Sequence, residues 1–373
     1  MAYEAIDTSD VERWIGETIG GEQLREPISV SDMRRWVQAM HNPNPVHYDD
    51  DYRDAEGVFV APQSLILACA IRHGVTPSMQ GQIPGGRQMN GGDEWWFYDR
   101  VSIGDRVTSV RQAFDYRVTE TAFAGPTIFQ RGDTVYVNQN GKVLARQRST
   151  AIRFLAVNLK QKSKKEDGSA LPETTDEMIG AFEQERLAYA RALRETPPPV
   201  AADVKVGMSL PRRLVGPHSI QSFTTEQRAF LYTIWGNLSD DGLPRTERVF
   251  RSADAALDPE FGDGLYHGAS AGHTDSKSAA QRGMPRAYGA GASVCAFIID
   301  YAANWAGGSG WVEHCSIQYR SPVLVGDATY ISAEVIGIEQ ADGHHVVKLS
   351  VEAANQAGII NTRGKVTVRL PVT

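Results

Sequence analysis

The chain has 373 residues, of which 42% are hydrophobic and 22% charged, and its formal net charge is −7. This length exceeds one ordinary domain and suits two of moderate size. The acidic balance gives no support for nucleic-acid binding, and no apolar run reaches the roughly 18–20 residues that a bilayer-spanning helix needs. We therefore expect a cytoplasmic protein with neither a nucleic-acid nor a membrane partner.

The first half begins with a helix and ends in strands. A cap at Ser31 or Asp32 begins the helix. Its apolar face follows helical spacing and consists of Met33, Trp36, Val37 and Met40. The segment from Pro62 to Ile71 is apolar on all sides, which predicts a second helix that is surrounded by other elements.

A linker separates the halves. Lys160 to Gly168 is charged and loop-like, Thr174 to Glu195 has the pattern of an amphipathic surface helix, and the three prolines at 197–199 form a stiff spacer. We predict an N-terminal domain over 1–155, a linker over 156–205 and a C-terminal domain over 206–373.

The second half has the same layout. Thr224 and Gln227 form a capping box for a helix. The apolar face of that helix consists of Phe230, Leu231, Ile234 and Trp235. An irregular insertion follows near 238–272, and the segment from Ala292 to Ala302 predicts another fully surrounded helix. Apolar residues then alternate with polar ones at Val347, Leu349, Val351 and Ala353, as a sheet with one buried face requires.

Two pairs of segments repeat in the same order. The stretch from Trp95 to Asp105 resembles that from Ile317 to Asp327, since each runs from a strand into a Gly-Asp turn. Downstream, the segment 138–141 (Asn-Gln-Asn-Gly) matches the segment 355–358 (Asn-Gln-Ala-Gly). This repeat indicates duplication. The fold class is α+β: two fused hotdog domains, each an antiparallel curved sheet wrapped round a buried helix.

One loop carries the sharpest motif, Asn-Pro-Asn-Pro-Val-His over residues 42–47. It resembles the signature Gly-Asp-x-Asn-Pro-x-His of the MaoC-like family, which includes the R-specific enoyl-CoA hydratases (hydratase 2). His41 stands at the glycine, Asn42 at the aspartate, Asn44 at the asparagine and His47 at the histidine of that signature. The sequence therefore departs from the family at the glycine and at one of the two catalytic positions.

The second half carries a later part of the same pattern. His273-Thr274-Asp275 and the segment 285–289, which ends in Gly289, resemble the family's His-x-Asp and Pro-Ile-Ala-His-Gly segments. The resemblance covers both halves, about 300 residues. It implies one working site, with one half keeping the catalytic loop and the other housing the acyl chain. Because the first half keeps Asn44 and His47, we favour His47.

The resemblance implies a hydro-lyase that hydrates an enoyl-CoA or dehydrates a 3-hydroxyacyl-CoA. Such chemistry needs a water beside C3, a proton for C2 and a donor for the thioester oxygen. The backbone N–H of Gly289 is the family-equivalent donor, and Val60 to Pro62 is the corresponding place in the first half. CoA enters as part of the substrate, so we expect no other cofactor, and three cysteines without ligand spacing predict no metal site.

Asn42 is the main departure, because an amide orients water but does not accept its proton at neutral pH. Three explanations fit. His47 acts alone as acid and base while Asn42 positions the water; another carboxylate, such as Asp49, Asp240 or Asp275, substitutes; or catalysis has moved to His273. Asp49 and Asp275 also fit simple helix caps, which is the more common role.

Arg146, Arg148 and Arg286 are candidates for binding the phosphates of CoA, although exposed strand arginines are common. Two other functions stay open. A thioesterase would use Asp49 or Asp275 to direct water at the thioester carbonyl. A catalytically degenerate chain would bind acyl-CoA or complete a partner's site. We expect a homodimer or a hetero-oligomer with another hotdog subunit.

Overall fold

The computed structural model describes residues 3–24, 26–52, 57, 59–70, 76–158, 171–230, 271–281, 283–341 and 343–372. Nearly all of the predicted insertion near 238–272 lies outside these residues, as do the linker segment 160–168 and Asp240. The described part of the chain holds no helix long and apolar enough to cross a membrane.

The helices are few for a chain of this length. The α-helices are α1 (Ser9–Glu12), α2 (Val30–Ala39), α3 (Asp176–Glu195), α4 (Ile220–Ala229), α5 (Ala271–Thr274), α6 (Ser276–Gln281) and α7 (Gly291–Ala306). The 3₁₀ helices are Pro45–His47, Asp50–Tyr52, Gln63–Cys69, Pro77–Met79, Ala156–Asn158 and Ala201–Asp203.

Strands hold more of the described residues than the α-helices do. The strands are β1 (Thr18–Gln23), β2 (Gly86–Phe97), β3 (Thr108–Thr121), β4 (Gly125–Val137), β5 (Val143–Leu155), β6 (Arg213–Val215), β7 (Trp311–Tyr319), β8 (Thr329–Ala341), β9 (His344–Ala354) and β10 (Ile360–Pro371).

All of these strands form one ten-stranded antiparallel sheet with the order β1-β3-β4-β5-β2-β7-β10-β9-β8-β6. Each half has the same strand order when it is followed inward from its own edge. The strands β6, β8, β9, β10 and β7 of the second half correspond to β1, β3, β4, β5 and β2 of the first. The two halves therefore have one topology and meet at β2 and β7, which supports the duplication inferred from the repeated segments.

The seam between the halves is a ladder of backbone hydrogen bonds. Residues 92–96 of β2 pair with residues 314–318 of β7. Gln63 crosses the same seam, because its side-chain amide donates to the Val312 carbonyl at 2.5 Å and accepts from the Val312 N–H at 3.1 Å. The amino end of the 3₁₀ helix in the first half is thus anchored on the second half.

Two buried helices pack against the sheet. The Gln63–Cys69 helix is buried along its whole length, and α7 is buried over most of its length. The first is a 3₁₀ helix rather than the longer predicted helix, while α7 extends the predicted range at both ends. The alternating residues of β9 are buried as predicted, since Val347, Leu349, Val351 and Ala353 all lie in the core.

The caps differ from the predicted ones. Ser29, not Ser31 or Asp32, caps α2, and the side chain of Asp32 instead completes the capping box from inside the helix. Ser219 caps α4 with Ser222, so that helix begins before the predicted Thr224 and ends at Ala229. In both cases a serine with an acceptor three residues later forms the box. The sequence offers several such pairs.

The Gly-Asp turns of the two halves have the same structure. Gly104 and Gly326 adopt φ of 94° and 89°, a region that favours glycine. Asp105 accepts a hydrogen bond from the Ser102 N–H at 2.8 Å, and Asp327 accepts one from the Leu324 N–H at 3.2 Å. Both aspartates act as turn residues.

Candidate active site

His47 ends the short 3₁₀ helix Pro45–His47, whose amino end is capped by the side chain of Asn44. The histidine is 5% exposed. Its Nδ1 lies 2.6 Å from the carbonyl oxygen of Val60. Since a carbonyl only accepts, Nδ1 carries the proton and Nε2 holds the lone pair of the neutral ring.

Burial lowers the pKa of His47 to about 4, with the charge of Arg100 acting in the same direction and the hydrogen bond to Val60 opposing it. The imidazole is therefore neutral at physiological pH. The fixed tautomer leaves the lone pair of Nε2 as a proton acceptor, as a general base requires, while the lowered pKa weakens its basicity.

The peptide that His47 holds has a second polar group. The carbonyl of Val60 faces His47, and the N–H of the same peptide belongs to Ala61, which donates to no group in the described part of the chain. The next carbonyl, that of Ala61, accepts from Nη1 of Arg100 at 2.8 Å. Arg100 and His47 therefore fix two successive peptides just before the Gln63–Cys69 helix.

Arg100 itself is half-buried. Its guanidinium lies over the ring of Trp311 from the second half, 5.3 Å from the ring centroid. Burial lowers its pKa, although Asp99 opposes this effect. The cation is thus placed beside His47 by contacts with both halves.

The amides of the motif bind a residue of the second half. Asn304 of α7 donates to Oδ1 of Asn42 at 3.0 Å and accepts from Nδ2 of Asn44 at 2.9 Å. The N–H of Asn44 also donates to Oδ1 of Asn42 at 3.1 Å. The motif residues Asn42, Asn44 and His47 therefore form one connected turn.

His273 occupies the equivalent place in the second half. Its Nδ1 lies 2.6 Å from the carbonyl oxygen of Tyr288, three residues before α7 begins, just as Val60 lies three residues before Gln63. The side chain of His273 is half-buried, whereas that of His47 is buried. The two imidazoles are thus held in the same way.

The equivalent peptides differ in their N–H groups. The N–H of Gly289 donates to the Val323 carbonyl at 2.8 Å. An oxyanion at this place would have to displace that bond, so the structure corrects the expectation that Gly289 offers a free donor. Among the described residues, the N–H of this kind that makes no hydrogen bond is that of Ala61 in the first half.

Asp275 acts as a helix cap, since its carboxylate accepts from the Ser278 N–H at 2.7 Å at the start of α6. Asp49 has a similar local role, because it accepts from the Asp51 N–H at 3.3 Å and pairs with Arg194 at 3.3 Å. These contacts fit the structural interpretation of both aspartates.

The arginines proposed for CoA phosphates are paired with carboxylates. Arg146 and Arg148 both bind Asp133, and the Arg148 pair is bidentate at 2.7 and 2.8 Å. In the second half, Arg286 is buried and lies 3.3 Å from Asp327. Phosphate binding at any of them would have to compete with an existing ion pair.

A surface cavity of about 480 Å³ lies elsewhere. It is lined by Glu4, Ala5, Asp7, Ile83, Pro84, Gly85, Leu155, Ala156 and Val157. It shares no lining residue with either histidine site.

Four residues near His47 were absent from the sequence-based expectations: Arg100, Arg213, Asp300 and Asn304. Three of them belong to the second half. Asp300 and Asn304 sit one turn apart in the apolar run of α7, and that spacing is the one signal that could have marked them. Their partners in the first half are visible only in three dimensions.

Two comparisons with known protein sequences match part of this chain. The family described as FAS1-like, dehydratase domain region, matches residues 13–147. A protein of Thermomonospora curvata described as a probable enoyl-CoA hydratase alpha subunit is 26% identical over 172 residues, which are 42% of this chain and 54% of that protein. The match thus spans about half the length of that relative.

Solved structures resemble the whole chain. A MaoC-like dehydratase superposes with a TM-score of 0.62 at 14% identity, covering 97% of this chain and 100% of its own. A Mycobacterium tuberculosis protein described as having a double hotdog fold gives a TM-score of 0.51 at 13% identity, covering 95% of this chain and 94% of its own. The predicted fold of two fused hotdog domains is confirmed.

Proposed function

We propose that this chain, which has a double hotdog fold and whose first half matches a dehydratase family, adds water to an enoyl-CoA, or removes it from a 3-hydroxyacyl-CoA, at the His47 site. The family match supports a hydratase or dehydratase activity at a general level. The acyl-CoA substrate and the role of each residue are part of the proposal.

One observation carries the choice of site. A single peptide, Val60–Ala61, offers its carbonyl to Nδ1 of His47 and keeps its N–H unbound within the described residues. The base and an oxyanion donor are therefore fixed to the same rigid group. At His273 the corresponding N–H is already bound to Val323.

Each polar group has a task in hydration. Nε2 of His47 takes a proton from water as the water oxygen bonds to C3, and negative charge develops on the thioester oxygen. The N–H of Ala61 stabilises that charge. The proton on Nε2 then passes to C2, so that the net change is the addition of one water and the imidazole returns to its neutral form.

Arg100 supports this arrangement without taking part in proton transfer. By binding the Ala61 carbonyl, it limits rotation of the residues that present the oxyanion donor. Its positive charge also favours the neutral form of His47 in the free protein.

Asn42 fits the first of the three explanations in leaving the acid and base roles to His47, but not in positioning the water. Its Oδ1 is occupied by Asn304 and by the Asn44 N–H, so it orders the turn that carries His47. We therefore assign the proton transfers to His47 alone.

The test uses the purified chain with two substrates of equal length, an α,β-unsaturated acyl-CoA and the saturated one. We expect 3-hydroxyacyl-CoA from the first, detected by mass spectrometry, and no free thiol from the second. Thiol release from the saturated substrate would support a thioesterase instead. Binding of both substrates without turnover would support a degenerate subunit.

The oligomeric state is a separate proposal. The Thermomonospora curvata relative is described as an alpha subunit. We propose that this chain forms a homodimer or pairs with another hotdog subunit, and light scattering of the isolated chain tests the first option. Full activity of the isolated chain would show that no second subunit completes the site.

A further inference from the structure

The loop before His47 contains an unusual backbone conformation. His41 adopts a φ of 48°, and it is the non-glycine residue with positive φ in the described part of the chain. The left-handed region suits glycine, and a side chain there costs on the order of 1 kcal/mol or more. His41 stands where the related motif has its glycine, so some other contact must hold this turn.

Arg213 supplies that contact from the second half. Its Nη2 donates to the carbonyls of Met40 and His41 at 3.0 Å each, and its Nη1 donates to the carbonyl of Phe297 at 2.8 Å. The residue is 1% exposed. Among the described residues Arg213 forms no ion pair, although its charge acts on the Asp300 carboxylate. Its hydrogen bonds therefore serve backbone carbonyls on both sides of the seam.

Asp300 accompanies the second departure from the motif. It lies one turn before Asn304 in α7 and is 1% exposed. Neither its carboxylate oxygens nor Nδ2 of Asn42 make a hydrogen bond of ordinary geometry within the described residues. The two unpaired groups are complementary, one an acceptor and the other a donor, and Asn304 holds Asn42 against the same helix.

The electrostatics agree with this proximity. Burial raises the pKa of Asp300 to about 6, and Arg213, Ser64 and Asn42 all act to lower it. The Asp300 carboxylate is thus close to the Asn42 amide and to Ser64, near the start of the Gln63–Cys69 helix.

We propose that the second half holds the His47 loop in its working shape, with Arg213 making up for the glycine missing at position 41 and Asp300 for the carboxylate missing at position 42. Both are positioning residues that act through His41 and Asn42. The inference rests on the proposed function only in so far as the loop serves catalysis.

The first test pairs Arg213 with His41. We expect Arg213→Gln to lower kcat by about ten-fold, the rate equivalent of the strain at positive φ, with little change in KM. His41→Gly in the same chain should restore most of that loss and raise Tm, because glycine adopts this conformation without strain. Arg213→Lys keeps the charge for the case in which the glutamine variant does not fold.

The matched control is Arg212→Gln. Arg212 is the neighbouring residue, but it is exposed and pairs with Glu185 at 2.8 Å. Arg212→Gln should leave kcat unchanged. Adding His41→Gly to the Arg212→Gln chain should not raise kcat.

The second test exchanges the charge between Asp300 and Asn42. Asn42→Asp alone places two carboxylates at one buried position and should lower Tm. Adding Asp300→Asn should restore Tm and bring kcat to at least that of either single variant, because one acid and one amide again face each other. Glu226→Gln, another buried carboxylate of the second half, should not restore Tm in the Asn42→Asp chain.

Additive effects in both pairs, in kcat and in Tm, would overturn the proposal. Failure of the proposed function looks different: the wild-type chain would hydrate no enoyl-CoA, while the Tm of the paired variants would still show whether the residues are coupled.

Discussion

The two histidine sites of this chain share one design and differ in one hydrogen bond. His47 and His273 each bind the carbonyl three residues before a buried helix. In the second half the N–H of the same peptide donates to the Val323 carbonyl, whereas in the first half it donates to no group among the described residues. A duplicated motif can thus keep its histidine contact while a backbone hydrogen bond occupies the neighbouring N–H.

Several contacts between the halves reach the loop that carries His47 or the arginine beside it. Arg213 and Asn304 of the second half bind the loop of the first half, and Trp311 lies against Arg100. The second half therefore supports the first site while its own equivalent peptide is closed. We interpret the first half as the copy that carries the active site and the second half as the copy that holds its loop in place.

The largest effect should come from the histidines themselves. We expect His47→Ala to lower kcat/KM for an enoyl-CoA by about 10²–10⁴-fold, the usual contribution of general acid–base catalysis. His273→Ala should lower it by less than about three-fold, since it lacks a free oxyanion donor beside it. Steady-state hydration rates decide between them, and the reverse ranking would place the working site in the second half.

Arg100 should have the next largest effect. Arg100→Met removes the donor to the Ala61 carbonyl, and we expect a loss in kcat of about ten- to hundred-fold from the misplaced peptide. Arg320→Met is the control, because Arg320 is exposed at the end of the equivalent strand in the second half. Equal losses in the two variants would show that general loss of charge, rather than placement of Ala61, matters.

The pH dependence of stability should distinguish buried from exposed imidazoles. The pKa of His47 is about 4 in the folded chain, against 6.5 for an unperturbed histidine, so the unfolded chain binds more protons between these values. The buried neutral ring of His47 therefore makes its full contribution to the free energy of unfolding above pH 6.5. This contribution is lost as the pH falls towards 4, up to a limit of about 3 kcal/mol.

His47→Gln should therefore flatten the fall in the free energy of unfolding between pH 6.5 and 4, measured by urea titration at several pH values. His218, which is buried in the second half, has its pKa lowered to about 3 by burial. His218→Gln should flatten the same region further. An unchanged acid slope in both variants would contradict the burial of these rings.

The smallest effect on catalysis should come from the paired arginines. Arg148→Gln breaks the bidentate contact with Asp133, and Arg286→Gln breaks the contact with Asp327. We expect each to lower stability by about 1–3 kcal/mol, because Asp133 then keeps only Arg146 and Asp327 loses its ion-pair partner. KM for the acyl-CoA should change by less than about three-fold if neither arginine binds phosphate. A large rise in KM for one of them would identify the half that binds CoA.

Much of the fold was predictable because its signals are local and repeated. The alternation at Val347 to Ala353, the Gly-Asp turns and the two apolar segments each reflect a periodicity that a sequence displays directly. The helix caps were harder, since several serines precede each helix and only one of them has the backbone geometry that a cap requires.

The site was predictable only in part. The spacing of Asn44 and His47 marked the loop, because a motif is contiguous. The state of an N–H group depends on which carbonyl lies opposite, so nothing in the residues 285–289 indicates that Gly289 is bound to Val323. The partners Arg213 and Asn304 lie about 170 and 260 residues away from the loop that they hold, and no local pattern reports such contacts.

The β2–β7 ladder has a consequence for how such a protein can evolve. Two identical chains joined along this ladder would form a symmetric dimer, in which any change to one catalytic peptide is made to both. Fusion of the two copies into one chain removes that constraint, because a mutation can then change one copy and leave the other unchanged. A substitution that affects the peptide N–H of one copy and the loop contacts of the other then becomes accessible in a single gene. Cutting the chain between the copies should leave two fragments that still associate.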